Sequence, residues 1–136
     1  MSLFRIVYVS DAVGAASDKL MPLIDIIGVS DRNNRRDHLT GVLVRHDGRF
    51  LQAIEGARVD LDRSMARIGG DHRHRDLRIL SDRSVAARLF PNWAMARLDS
   101  TPDVAGFLAS GLAQAEAGQR AERLLVEASR LIAVAP

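Results

Sequence analysis

Residues 40–55 read Thr40-Gly41-Val42-Leu43-Val44-Arg45-His46-Asp47-Gly48-Arg49-Phe50-Leu51-Gln52-Ala53-Ile54-Glu55. Two short β-prone runs, TGVLVR and FLQAIE, flank Asp-Gly, a pair suited to the positive φ angles of a tight hairpin turn. The segment therefore reads as two antiparallel strands. Side chains alternate across a strand, so Phe50, Gln52 and Ile54 share one face and Leu51, Ala53 and Glu55 the other. Gln52 is thus an amide set among apolar neighbours at mid-strand.

Outward from the hairpin, residues 3–9 (LFRIVYV) form a first buried strand, with Phe4, Ile6 and Tyr8 on one face. Between them, Leu20, Leu23, Ile24 and Ile27 recur at helical spacing after a candidate N-cap, Ser17, and Gly28 favours a stop. Pro22 fits the first turn of that helix better than its interior. Residues 31–37 (DRNNRRD) are a polar loop. After the hairpin, residues 57–68 place Leu61, Met65 and Ile68 on one helical face, closed by Gly69-Gly70. Residues 77–80 and 89–98 each supply a further strand, the second broken by Pro91.

The order strand, helix, strand, strand, helix, strand, strand predicts an α+β, ferredoxin-like βαββαββ sheet with two helices on one face. Beyond Thr101-Pro102 the chain turns rich in Ala and Leu. Phe107, Leu108 and Leu112, then Leu124, Leu125, Ala128, Leu131 and Ile132, mark two amphipathic helices separated near Gly118. They are expected to cover the free face of this sheet or that of a partner. The chain divides into a sheet domain over 1–98 and a helical extension over 99–136.

A chain of 136 residues, 47% apolar and 26% charged, makes one domain with a sizeable core. Without cysteine there are no disulfides, thiolate catalysis or cysteine-ligated zinc. Eighteen of the nineteen basic residues are Arg, which lifts the pI to 9.9 although the net charge is only +2. Interleaved acids make this a mixed solvated surface rather than a nucleic-acid stripe. The N-terminal residues lack the layout of a signal peptide, and no apolar run is long enough to span a membrane. The expected setting is the cytoplasm.

A buried phenol at Tyr8 and a buried amide at Gln52 each need partners, since an unmet buried polar group costs about 1–3 kcal/mol. Two readings stand. They satisfy each other, or both address a polar ring held between the two helices. His72 and His74 alternate like metal ligands, but no pattern places a third, so no metal is expected. Ser10 and Ser30 lack a paired His and Asp, and Glu55 lacks an opposing carboxylate. Catalysis has no support, and Glu55 reads as a hydrogen-bonded structural group.

In order and spacing, the pieces Arg5-Ile6-Val7-Tyr8-Val9-Ser10, Ser30-Asp31-Arg32-Asn33-Asn34, Leu39-Thr40-Gly41-Val42-Leu43 and Asp47-Gly48-Arg49-Phe50-Leu51-Gln52-Ala53-Ile54-Glu55-Gly56 resemble the BLUF family, the sensors of blue light using FAD. Arg67-Ile68, Asp71-His72-Arg73-His74 and Phe90-Pro91-Asn92-Trp93-Ala94-Met95 continue the resemblance to about Leu98. It implies a non-enzymatic photoreceptor binding FAD non-covalently, with FMN or riboflavin as substitutes.

By that resemblance Tyr8 is the tyrosine that gives an electron and a proton to the excited flavin, and Gln52 bridges it to the ring. Asn34, with Asn33 beside it, matches the asparagine on the polar ring edge. Ser30, Arg73 and His74 match further polar contacts, while Ile26, Phe50, Ile68 and the stem of Arg67 form apolar walls. Trp93 and Met95 match a pair of which one approaches the glutamine. Asp11 and Asp31 depart from the family's usual residues at peripheral positions.

The resemblance also implies an oligomer, a dimer or larger, that signals to a separate downstream protein in trans, without nucleic acid or membrane. The competing functions are a photochemically silent flavin module and an RNA-binding sheet. The latter would need exposed stacking aromatics on its central strands, where this chain has Gln52 and Ala53.

Overall fold

A computed structural model describes residues 2–13 and 32–134. The helix expected around Leu20–Ile27, and with it Ile26 and Ser30, lies outside the described residues. Five strands, β1 (Leu3–Ala12), β2 (Thr40–His46), β3 (Arg49–Gly56), β4 (His74–Val85) and β5 (Ala96–Leu98), form one sheet in the order β4-β1-β3-β2-β5. β2 and β5 run parallel; every other neighbouring pair is antiparallel. Helix α1 (Arg58–Gly69) packs on one face, and α2 (Pro102–Ser110) and α3 (Ala117–Val134) on the other. This is the expected α+β, ferredoxin-like arrangement.

The hairpin forms as its turn chemistry requires. Asp47 and Gly48 have φ of 46° and 72°, both positive, as a two-residue turn matched to strand twist demands. His46 then pairs with Arg49, and counting back sets Leu43 opposite Gln52. Gly41 lies so close to β3 that a Cβ there would stand 2.3 Å from the Ala53 carbonyl oxygen.

The larger core lies between the sheet and the C-terminal helices. Val7, Val9, Val42, Val44, Leu51 and Ala53 meet Val104, Phe107, Leu108, Ala121, Leu125 and Ala128 there. On the opposite face Ile6, Tyr8 and Ile54 meet Leu61 of α1. Thr101 caps α2, its hydroxyl accepting from the Val104 N–H at 3.1 Å, with Pro102 at the first helical position.

Four expectations are corrected, the first being the polar loop at 31–37, of which residues 32–36 form a short helix. β4 is longer than residues 77–80; its register slips at Val7/Tyr8 and at Val9/Asp11, so this charged edge strand is bulged. β5 is only three residues long, because Pro91 cannot donate to a ladder and the chain from 87 to 95 runs as a loop. The two terminal helices separate at residues 111–116 rather than near Gly118. Gly118 instead sits inside α3 where it crosses β4, with no room for a Cβ against the Leu80 oxygen at 2.6 Å.

Candidate functional site

Tyr8 and Gln52 are directly opposed partners across β1 and β3, so their side chains leave the sheet on the same side. At 3% and 4% exposure neither can rely on water. The Tyr8 hydroxyl donates to Gln52 Oε1, and Gln52 Nε2 donates to Met95 Sδ at 3.3 Å. The opposite amide orientation would turn an oxygen toward sulfur, where no donor exists, and would lose a bond. Both ends of the amide are therefore engaged, one strongly and one by a weak thioether acceptor.

Burial, with the Asp71 charge adding to it, raises the Tyr8 pKa well above the ordinary phenol value. Tyr8 is thus a hydrogen donor throughout the neutral range. The register slip of β4 falls beside it, between Val7 and Tyr8.

A pocket opens from this pair toward α1. Leu43, Phe50, Ile54 and Ile68 give it an apolar wall, and Tyr8, Gln52, Asn33, Asn34 and Ser64 contribute polar atoms. Arg67, Asp71, Arg73 and His74 complete the lining. Asn34 belongs to a short helical stretch at 32–36 and is buried; its Nδ2 donates to the Ala94 carbonyl at 2.5 Å.

Ion pairs order the rim. Asp37 accepts from Arg36 at 3.0 Å, Arg67 at 3.2 Å and Arg63 at 3.4 Å. Its carboxyl is held at about 2, chiefly by the Arg36 hydrogen bond and then by Arg67, against the cost of desolvation. Asp71 is also lowered, first by its bond to Arg73, whose Nη2 donates at 2.6 Å. His74 Nε2 lies 2.6 Å from the Ile68 carbonyl, which only accepts, so Nε2 carries the hydrogen; Nδ1 pairs with Ser10 Oγ at 2.7 Å. His74 thereby ties β4, β1 and α1 together at one end of the pocket, while His72 is exposed.

Of the residues singled out in the sequence, Tyr8, Asn33, Asn34, Phe50, Gln52, Arg67, Ile68, Arg73 and His74 meet around this pocket. Met95 reaches it through Gln52. Trp93 does not; it packs against the core beneath the C-terminal helices. Two residues apart in a strand would share a face, but here the strand begins only at Ala96.

Leu43, Ile54, Ser64 and Asp71 were not singled out as site residues. Leu43 was legible from the turn register, Ile54 from its phase with Gln52, and Ser64 from its helical spacing to Leu61 and Ile68. Asp71 stands in a stretch that carries the resemblance, but its charge acts on Tyr8 through space, which no local pattern marks.

The lining suits a flat aromatic heterocycle with one polar edge: aliphatic and aromatic walls, with amides and a phenol gathered at one side. Flavin isoalloxazine has that character, and the residues present fit it.

Residues 3–96 match the family model described as sensors of blue-light using FAD. The photoactivated adenylate cyclase subunit beta of Euglena longa is 29% identical over 94 residues, covering 69% of this chain and 11% of that protein. The chain thus spans about a tenth of the length of such curated relatives. The dark-state structure of BlrB, a BLUF protein, superposes with a TM-score of 0.81 at 25% identity, over 93% of this chain and 96% of that one. Klebsiella pneumoniae BlrP1 with FMN and cyclic diGMP superposes with a TM-score of 0.65 at 27% identity, over 71% and 26% of the two chains. With the family model covering most of its length, this chain belongs to the BLUF family of flavin-binding blue-light sensors.

Proposed function

We propose that this chain is a blue-light photoreceptor that holds FAD non-covalently in the pocket beside Tyr8 and Gln52. It signals through the hydrogen bonds of that pair to a separate protein in trans. The observation that carries this reading is the continuous relay from the Tyr8 hydroxyl, in the pocket wall, through Gln52 to Met95 behind it. Leu43, Phe50, Ile54 and Ile68 would clasp the ring; Asn34, Asn33, Ser64 and Gln52 would address its polar edge. Ile26 and Ser30 are assigned to the same cofactor by family resemblance alone. When bound and excited, the flavin supplies an acceptor for an electron and a proton.

Tyr8 keeps a transferable proton on Oη beside an acceptor, Gln52 Oε1. Its raised pKa keeps that proton on the phenol in darkness throughout the neutral range. Gln52 has different chemistry at its two ends, so turning the amide over exchanges donor for acceptor at both. The end facing Met95 is the easier to release, because a thioether sulfur accepts only weakly. A swapped hydrogen bond is worth about 0.5–1.5 kcal/mol, roughly a tenfold change in a two-state equilibrium. The output element must therefore be nearly balanced in the dark.

The sensing unit is assigned to 1–98 and the output to 99–136. The protein is proposed to be a cytoplasmic oligomer with no catalytic activity of its own. No described helix is long and apolar enough to cross a membrane.

Gln52→Leu tests the reading. The variant should still purify yellow, since the apolar wall is intact, but should lose the light-induced red shift of the flavin band. An undiminished shift in the variant would contradict it.

A further inference from the structure

Three charged side chains are buried on the face of the sheet away from the pocket: Arg5 at 2%, Glu55 at 0% and Glu122 at 5% exposure. Burying ions is costly unless they are paired and fully hydrogen-bonded. Here they are. Arg5 and Glu55 are direct cross-strand partners, joined from Nε to Oε2 at 2.8 Å. Arg5 Nη1 donates to Glu122 of α3 at 3.1 Å, and Nη2 to the Ala87 carbonyl at 3.0 Å. Glu55 accepts from the backbone N–H groups of Leu89 at 2.7 Å and Phe90 at 2.9 Å, and from the Thr40 hydroxyl at 3.2 Å. Arg83 closes the set on Glu122 at 2.7 Å.

Residues 87–90 lead directly into the loop that carries Met95. That loop is therefore held at both ends. At one end Gln52 bonds the Met95 sulfur and Asn34 bonds the Ala94 carbonyl; at the other the Arg5–Glu55 pair holds Ala87, Leu89 and Phe90. Gln52 and Glu55 are three residues apart on β3, roughly 10 Å along the strand at its usual rise. One guanidinium holds both the loop and helix α3. A loop that shifts at Met95 pulls on groups whose other bonds run to Glu122.

We propose that the Arg5–Glu55–Glu122 cluster couples the Met95 loop to helix α3, with Arg5 and Glu122 as positioning residues for output rather than for photochemistry. This rests on the photoreceptor reading above. Contiguous hydrogen-bonded groups carry coupling when a two-state element biases them, the part this proposal gives to the Gln52–Met95 contact. A purely structural cluster would instead hold α3 equally in darkness and light.

Hydrogen exchange of the full flavin-loaded chain, in darkness and under blue light, separates these roles. In the wild type, illumination should change exchange in both 87–95 and 117–134. In Glu122→Gln, which keeps shape but removes the charge that Arg5 holds, the red shift and the change in 87–95 should persist. The light-minus-dark difference in 117–134 should fall several-fold. Glu122→Asp, which keeps the charge but draws it back by one methylene, should behave alike and serves if the first variant folds poorly. A light-induced change in 117–134 that equals wild type in a folded variant overturns the proposal. So does a wild type that shows the red shift but no change in 117–134. A wild type with no red shift overturns the photoreceptor reading itself.

Discussion

Gln52 is the residue on which the site turns, because its amide is buried, bonded at both ends, and unequally so. Its weak end meets Met95, while Trp93 lies on the other side of the sheet. Met95→Leu conserves volume but removes the acceptor that the described residues give Gln52 Nε2, so it should destabilise the protein by about 1–3 kcal/mol. It should also change the rate of dark recovery several-fold. Trp93→Phe should leave that rate near the wild-type value. Flash-photolysis recovery kinetics check both, and the reverse ordering would contradict the assignment of Met95. Alternation was informative within each strand, setting Phe50 with Gln52 on β3 and Ile6 with Tyr8 on β1 by counting, whereas the register that brings Tyr8 beside Gln52 is set by the fold. The sequence was silent on Met95 against Trp93, because a loop has no period, and on Asp71, whose effect on Tyr8 acts through space.

Asp37 belongs to the same scale but orders its neighbours by charge. Its carboxyl is depressed to about 2 by Arg36 and Arg67. A depressed carboxyl stabilises the fold fully above its unfolded value, about 4, and loses that contribution as pH falls toward about 2. Denaturation midpoints should therefore decline through this window, and Asp37→Asn should flatten that part of the profile. An unchanged acid limb in the variant would refute the role given to the Arg36–Asp37–Arg67 cluster.

Among the elements, the hairpin and α1 were the most legible, since the Asp47-Gly48 turn sets register and Leu61, Met65 and Ile68 set the helical face. The fifth strand was overread: β-prone residues between 89 and 98 suggested a long strand, but Pro91 and the pull of Glu55 on Leu89 and Phe90 make that stretch a loop. Gly118 was misread as a helix break for a good local reason, namely its low helix propensity. Its true use is tertiary, where α3 meets the Leu80 carbonyl and Ser81. Gly118→Ala should thus destabilise by about 1–3 kcal/mol through overpacking, although an exposed helical Gly→Ala would stabilise. Chemical denaturation decides the sign, and a more stable variant would show that α3 does not press on β4.

For the whole molecule, the sheet is a partition with different business on its two sides. One side gathers the phenol, the amides and the pocket; the other buries the terminal helices and the Arg5–Glu55–Glu122 cluster. β3 serves both, with Gln52 facing one way and Glu55 the other. Fold class and the covering role of the terminal helices were legible from periodicity, whereas the pairing of Arg5 with Glu122 spans 117 residues and left no local trace.

Whether the Tyr8–Gln52 relay answers to light is read from an absorption spectrum of the purified chain before and after blue illumination. The purified protein should be yellow, with a flavin band that moves reversibly to the red and returns in darkness. A flavin-loaded protein with identical spectra in darkness and light would contradict a light-responsive relay.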